Sequence, residues 1–331
     1  MTGFRAFRIH RDEAGTIRAG IETATLDELS PGDVVIRGRY SGVNYKDALA
    51  GTGRGRILRR FPLIGGIDVA GEVVSSDDAG FAPGDAVVVT GCGLSETRDG
   101  GYAELVRVPA ECVVPLPDGL DAYAAMALGT AGFSAALAVM RLEENHQTPE
   151  LGPILVTGAT GGVGGFAVAM LAARGYEVHA LTGKPESAPY LRELGAAAVL
   201  DRHTLALGER PLESAQWGGA VDTLGGAVLA WLTRSVRPYG NIAAVGLAAG
   251  TELNTTVLPF ILRGVSLLGI HSVDCPPALR RAVWARMAGD LRPPKLIDSI
   301  ADTVGLEGLP AVFERVMQGV QQGRVVVDLA R

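Results

Sequence analysis

Aromatic residues make up only 5% of this 331-residue chain, which has three cysteines and five histidines. Cys92, Cys112 and Cys275 are too few and too scattered for a disulfide framework, so a reducing cytoplasm fits. Cys92 and Cys112 then read as small core or loop residues. The histidines (His10, His146, His179, His203, His271) show no metal spacing. Positive charge is also short. Lys and Arg number 30 against 36 Asp and Glu, and the net charge of −6 argues against a nucleic-acid or anionic-membrane surface. The opening MTGFRAFRIHRDEAG has no apolar core of the kind a secretory signal needs. Two stretches, Ala122–Met140 and Leu151–Ala173, run uncharged for the roughly 20 residues of a membrane span. Gly129, Thr130 and Gly132 break the first and a glycine turn breaks the second, so both read as buried core and no membrane is expected.

What is abundant is glycine, at 45 positions, and apolar residues, at 47%. The length suggests two domains. The chain is organised around Gly152–Lys184, which reads as one βαβ unit of about thirty residues. Ile154–Thr157 suits a buried parallel strand, Phe166–Arg174 a helix ended by Gly175, and Tyr176–Thr182 the second strand. Between them, Ala159-Thr160-Gly161-Gly162-Val163-Gly164 matches G-x-G-x-x-G with Ala in the first glycine position. Gly161 would let the backbone approach a pyrophosphate, and Gly164 would let helix and strand pack closely. N–H groups at the helix start, Gly162 and Val163 among them, favour the phosphate charge.

The end of the next strand selects the cofactor. An NAD site would place a carboxylate about 20 residues past the glycines, on the ribose 2′-hydroxyl. Here that place reads Leu181-Thr182-Gly183-Lys184, with no carboxylate before Glu186. A hydroxyl and an ammonium suit a 2′-phosphate, and Arg202 after the Ala196–Leu200 run would add a second cation. NADPH is therefore the expected cofactor.

Residues 1 to about 125 read as β-rich, with short runs (Val34–Ile36, Val69–Val74, Ala86–Thr90, Leu105–Val108) between Pro-Gly-Asp-type turns. Ala122–Met140 reads as helical. Strand candidates then follow at Ala196–Leu200, Ala220–Thr223, Asn241–Leu247 and Ser266–Ile270, with helices at Ala227–Arg237 and Val257–Arg263. That alternation is doubly wound α/β. A basic amphipathic helix (Ala278–Leu291), a helix near Pro310–Gly319 and a last strand, Arg324–Leu329, close the chain, and the strand is expected to rejoin the β-rich domain.

This order resembles the medium-chain dehydrogenase/reductase superfamily. Tyr40-Ser41-Gly42-Val43-Asn44-Tyr45-Lys46-Asp47-Ala48-Leu49 looks like the signature of its zinc-free, quinone-reductase-like members. Gly129-Thr130-Ala131-Gly132-Phe133-Ser134-Ala135, the glycine turn and Gly323-Arg324-Val325-Val326-Val327 extend the match along the chain. Phe61–Asp68, Pro259–Arg263 and Ser272-Val273 with Pro276-Pro277 resemble the NADPH-dependent acryloyl-CoA reductase branch, from which Gly65, a proline there, is a small departure. The resemblance implies α/β architecture: a GroES-like catalytic domain over 1–125, completed by 274–331, and a Rossmann NADPH-binding domain over 126–273. It also implies a cytoplasmic homodimer, with the Val265–Ile270 strand a suitable edge for pairing.

Alcohol-dehydrogenase relatives hold catalytic zinc with a Cys where this chain has Asn44 and a His where it has Ile67, so no metal is expected. Without a Lewis acid, conjugate reduction suits the site better than alcohol oxidation. By resemblance, Asn44 and Tyr45 line the cleft at the nicotinamide, Tyr45 donating a proton or hydrogen bond and Asn44 holding cofactor. Thr130, Gly246, Leu247, Ile261 and Ser272 are cofactor contacts by the same resemblance. Lys46 and Asp47 read as a local ion pair. Four arginines in seven residues, Arg54, Arg56, Arg59 and Arg60, either bind coenzyme A phosphates, with Arg54, Arg56 and Arg59 the named candidates, or form a solvated loop. The expected activity is reduction of an α,β-unsaturated acyl-CoA. Quinone reduction and a non-catalytic NADPH-binding protein stand as rivals.

Overall fold

The computed structural model describes residues 3–295 and 300–331, which cluster into two compact units. The first comprises residues up to Thr130 with Ser272–Gly289 and the chain from Leu296 onward; the second comprises Ala131–His271 and Asp290–Lys295.

In the first unit, β1 (Phe4–Arg11) and β2 (Ile17–Ala24) form an antiparallel hairpin, paired from Phe4↔Ala24 to Arg11↔Ile17. β1 buries Phe4 and Ala6 on one face and Phe7 and Ile9 on the other, with Arg5 and Arg8 only partly exposed between them, so both faces of the strand are covered. Strand β3 (Val34–Gly42) is followed by helix α1 (Tyr45–Thr52), then β4 (Leu63–Ile64), β5 (Asp68–Ser76), β6 (Ala86–Thr90), β7 (Leu105–Val108) and β8 (Val114–Pro115). Neither the hairpin nor α1 stood out in the sequence. Phe7, Tyr102 and Phe313 pack as an aromatic cluster in this core, the first against each of the others edge to face.

The α2 run (Ala122–Glu144) is two helices, since Gly129 takes φ 50, ψ −156 and breaks the hydrogen-bond ladder. It is long and apolar enough to cross a bilayer, but 89% of its apolar window is buried inside the protein, as in a core helix.

The second unit holds β9 (Ile154–Thr157), α3 (Gly162–Ala173), β10 (Val178–Thr182), α4 (Ala188–Glu193), β11 (Ala198–Asp201), β12 (Trp217–Asp222), α5 (Gly226–Ser235), β13 (Val236–Ala244), α6 (Leu258–Arg263) and β14 (Ser266–Gly269). All six strands are parallel, in the order β11-β10-β9-β12-β13-β14. The order turns back between β9 and β12, the place where such sheets open a crevice at their carboxyl ends. Back in the first unit come α7 (Pro277–Ala288), β15 (Ile300–Val304), α8 (Leu309–Met317) and β16 (Arg324–Asp328). β16 runs antiparallel to β3, so the last strand does rejoin the β-rich sheet. On α7, Arg280 is buried and donates to the carbonyls of Thr90 and Val273, so that part of the basic helix faces inward.

The expectation for the cysteines is overturned. Cys92 and Cys112 are not separate packing residues but a disulfide, with Cα atoms 5.8 Å apart. Left-handed backbone at Gly91, Cys92 and Gly93 swings that loop toward the turn carrying Cys112, a proximity that 20 residues of separation conceal. Reducing the bond, or replacing Cys112 with serine, is expected to lower unfolding free energy by about 2–4 kcal/mol. Denaturant titration with and without reductant measures this, and coincident curves would contradict it.

Candidate active site

The glycine turn is built as the fingerprint requires. Gly158 turns the chain out of β9 with φ 58, and Gly161 caps α3. A Cβ on Gly164 would lie 2.3 Å from the Gly158 carbonyl oxygen, so only glycine lets α3 start this close to the strand. A Cβ on Gly161 would meet only that same oxygen, at 3.3 Å, leaving its face open for a phosphate. Behind the turn, buried Asp222 accepts from the Thr157 hydroxyl (2.7 Å) and the Gly225 N–H (2.8 Å), while Thr223 bonds back to Thr157 through its N–H and hydroxyl (both 2.9 Å). Burial pushes the Asp222 carboxyl up, and these donors hold it down. The ends of β9 and β12 are thereby locked together beside the turn. Asp222 was not singled out from the sequence; its signal is a lone carboxylate closing an apolar strand.

Parallel register brings the other expected residues to the same sheet end. Leu181 pairs with Thr157 and Thr182 with Asp201, so Gly183, Lys184 and Arg202 follow adjacent strands at one level. The Thr160 and Thr182 hydroxyls lie 3.4 Å apart, and Thr182 also accepts from the Lys184 N–H. Gly246 follows β13, where a Cβ would lie 2.4 Å from the Thr223 oxygen; Leu247 beside it is exposed. Ile261 is exposed on α6 rather than at a strand end.

In the first unit, Asn44 caps α1, and its N–H donates to Asp47 Oδ2 at 2.8 Å. Both ends of its amide are engaged: Nδ2 donates to Asp68 Oδ2 at 2.7 Å, and Oδ1 accepts from Arg324 at 3.3 Å. Asp68, with 0% exposure, also accepts from the Thr130 N–H (2.9 Å) and from the Thr130 hydroxyl. Arg324 further donates to the carbonyls of Val43 and Ala127. Asp68 and Arg324 thus join Asn44 to Thr130. Neither had been assigned a role from the sequence, although both lie in stretches that carry the family resemblance.

Tyr45, by contrast, is 51% exposed, and its hydroxyl has no hydrogen-bond partner among the described residues. Lys46 and Asp47 do not pair. Lys46 binds Glu96, and Asp47 turns inward to the N–H groups of Asn44 and Ile67, as its place in the first turn of α1 dictates. Ser272 is half-buried beside Gly91. Of the arginine run, Arg54 is held by Glu314 (2.9 Å) and Arg60 by Ser30 and the Thr97 carbonyl. The Arg56 and Arg59 side chains are exposed and make no hydrogen bond or ion pair with the described residues.

Burial, and next the charge of Asp68, push Asp47 up to about 7. The folded state then binds a proton that the unfolded chain, with an ordinary carboxyl of 3.8, releases. The stability this group contributes is therefore present at low pH and lost as pH rises through the window from 3.8 to about 7. The melting temperature is expected to fall between mildly acid and neutral pH, and to fall less steeply in Asp47→Asn. An equal slope in the variant would contradict this.

Comparison with known proteins agrees with this construction. The description "Alcohol dehydrogenase GroES-like domain" matches residues 30–118, and "Zinc-binding dehydrogenase" matches residues 162–289. The acrylyl-CoA reductase AcuI of Ruegeria pomeroyi is 47% identical, covering 98% of this chain and 99% of its own. YhfP of Bacillus subtilis, which carries a provisional quinone-oxidoreductase label, is 49% identical with 99% of both chains covered. Its crystal structure with NAD bound superposes with a TM-score of 0.96 over 99% of this chain and 100% of that one. YhdH of Escherichia coli K-12 with bound NADPH gives 0.94 at 44% identity, over 98% and 99% of the two chains. The chain belongs to the medium-chain dehydrogenase/reductase superfamily, among its quinone-oxidoreductase-like members and in the branch of the acrylyl-CoA reductases.

Proposed function

We propose that the protein reduces the C=C bond of an α,β-unsaturated acyl-CoA with NADPH, acryloyl-CoA to propanoyl-CoA first among them. The observation that carries this reading is the 47% identity with AcuI across 98% of the chain. The residues fit the cofactor: the Gly161 face is open to a pyrophosphate, and Lys184 and Arg202, which follow the adjacent strands β10 and β11, would supply cations to a 2′-phosphate. When bound, NADPH supplies a hydride to the alkene carbon β to the thioester carbonyl.

The protein must then orient the thioester and stabilise charge on its oxygen. Tyr45, with its hydroxyl free, is the donor for that oxygen. Asn44 is a positioning residue, since Asp68 and Arg324 occupy both ends of its amide. The α-carbon takes its proton from an exchangeable group. Arg56 and Arg59, exposed and unpaired among the described residues, are the cations for the coenzyme A phosphates. Replacing both with alanine is expected to raise KM for the acyl-CoA by about tenfold, with KM for NADPH unchanged. Turnover of acryloyl-CoA, crotonyl-CoA and a benzoquinone side by side tests the reading; quinone turnover with neither thioester reduced would overturn it.

We also propose a homodimer paired along β14, one of the two edge strands of the parallel sheet. Tyr239, Ile261 and Leu262 are exposed in the same unit and would be covered by a partner. Sedimentation gives the mass directly. A cytoplasmic location suits these substrates, and the Cys92–Cys112 bond is the feature that weighs against it.

A further inference from the structure

We propose that His203 is a specificity-determining residue for the cofactor, completing with Lys184 and Arg202 a three-sided cradle for the 2′-phosphate. The sheet register puts it there. β10 and β11 are parallel neighbours with Thr182 opposite Asp201, so the two residues after each strand, Gly183-Lys184 and Arg202-His203, leave the sheet side by side. Asp201 Oδ1 accepts the His203 N–H at 2.9 Å, which tightens the 202–204 turn and ties the one carboxylate at this strand end to backbone. The turn throws the imidazole back over β10, where Nε2 lies 3.3 Å from the Gly183 carbonyl oxygen.

Glycine at 183 makes the approach possible. A Cβ there would sit 3.2 Å from an Arg202 Nη2 and 3.3 Å from His203 Nε2, so the guanidinium and the imidazole close over the same bare backbone. An NAD-specific site would carry a carboxylate near this point. Here the Arg202 guanidinium and the His203 ring N–H close on Gly183, with Lys184 next in the chain, and all three are donor side chains for a dianionic phosphate. Arg202 and His203 are exposed, so neither is committed to the core. With a 2′-phosphate present, the ring N–H that now meets the Gly183 carbonyl has a charged acceptor available instead.

This inference rests on the NADPH reading and is independent of the acyl substrate, so it is tested without turnover. Calorimetry measures binding of adenosine 2′,5′-bisphosphate and adenosine 5′-monophosphate, which differ only in the 2′-phosphate, to the wild-type protein, His203→Gln, His203→Lys and Arg202→Ala. The wild type is expected to prefer the bisphosphate. His203→Gln should weaken the bisphosphate by about five- to tenfold and leave the monophosphate unchanged, His203→Lys should retain the preference, and Arg202→Ala sets the scale for losing one cation. An unchanged preference in His203→Gln overturns the assignment and leaves the ring as a cap on Gly183. Equal losses for both nucleotides overturn it as well, since they mark a structural role. A wild type that does not discriminate would instead sink the NADPH reading on which the assignment rests.

Discussion

Replacing Gly164 with valine is expected to remove NADPH binding by about a hundredfold or more, the largest single-residue effect in the second unit. The Cβ would lie 2.3 Å from the Gly158 oxygen and 2.8 Å from the Ala159 Cα, so helix and strand must separate and the N–H groups at the helix start lose their aim. Gly161→Ala separates binding from folding. Its backbone, φ −78 and ψ 169, accepts any residue, and its Cβ meets only the Gly158 oxygen, at 3.3 Å. That variant should melt close to the wild type yet bind NADPH more weakly, because the methyl stands where the pyrophosphate approaches. Fluorescence titration with NADPH beside thermal melting distinguishes the two, and wild-type affinity in Gly164→Val would contradict the account.

Asp68→Ala is expected to lower unfolding free energy by about 3–5 kcal/mol. Truncation strands the buried Asn44 Nδ2 and the two part-buried donors of Thr130, beside the buried Arg324 guanidinium. Burial pushes the Asp68 carboxyl up, and the Thr130 and Asn44 donors with the Arg324 charge hold it down; losing the carboxylate leaves that positive charge uncompensated. Asp68→Asn keeps the volume and should cost less stability, while its amide faces the Asn44 amide donor and disorders Asn44 and Thr130. Denaturant midpoints measure the first effect and kcat the second. A loss below about 1 kcal/mol in Asp68→Ala would show that the network carries little.

The second unit was legible because parallel strands buried on both faces read as short apolar runs, and the glycine turn fixed where β9 ends. The first unit was harder. In β1 the arginines interrupt an apolar run buried on both faces, and α1 is eight residues of mostly small and polar side chains with no long apolar face. Tyr45, Thr182, Lys184 and Arg202 are candidates that motif and strand end alone suggest. The contacts of Asp68, Asp222 and His203 are not legible there, because their partners lie 62, 65 and 20 residues away in sequence. The Cys92–Cys112 bond escaped for the same reason: composition counts thiols and does not show which of them meet.

The central claim is hydride transfer to the β-carbon of a thioester-conjugated alkene, and isotope labelling reads it most directly. Acryloyl-CoA is reduced with NADPH deuterated at nicotinamide C4 in ordinary water, and with unlabelled NADPH in heavy water, and the propanoyl-CoA formed is analysed by mass spectrometry and NMR. The account predicts one deuterium at C3 from the cofactor in the first case and one at C2 from solvent in the second. Propanoyl-CoA without cofactor deuterium at C3, or no propanoyl-CoA formed in either reaction, would contradict it.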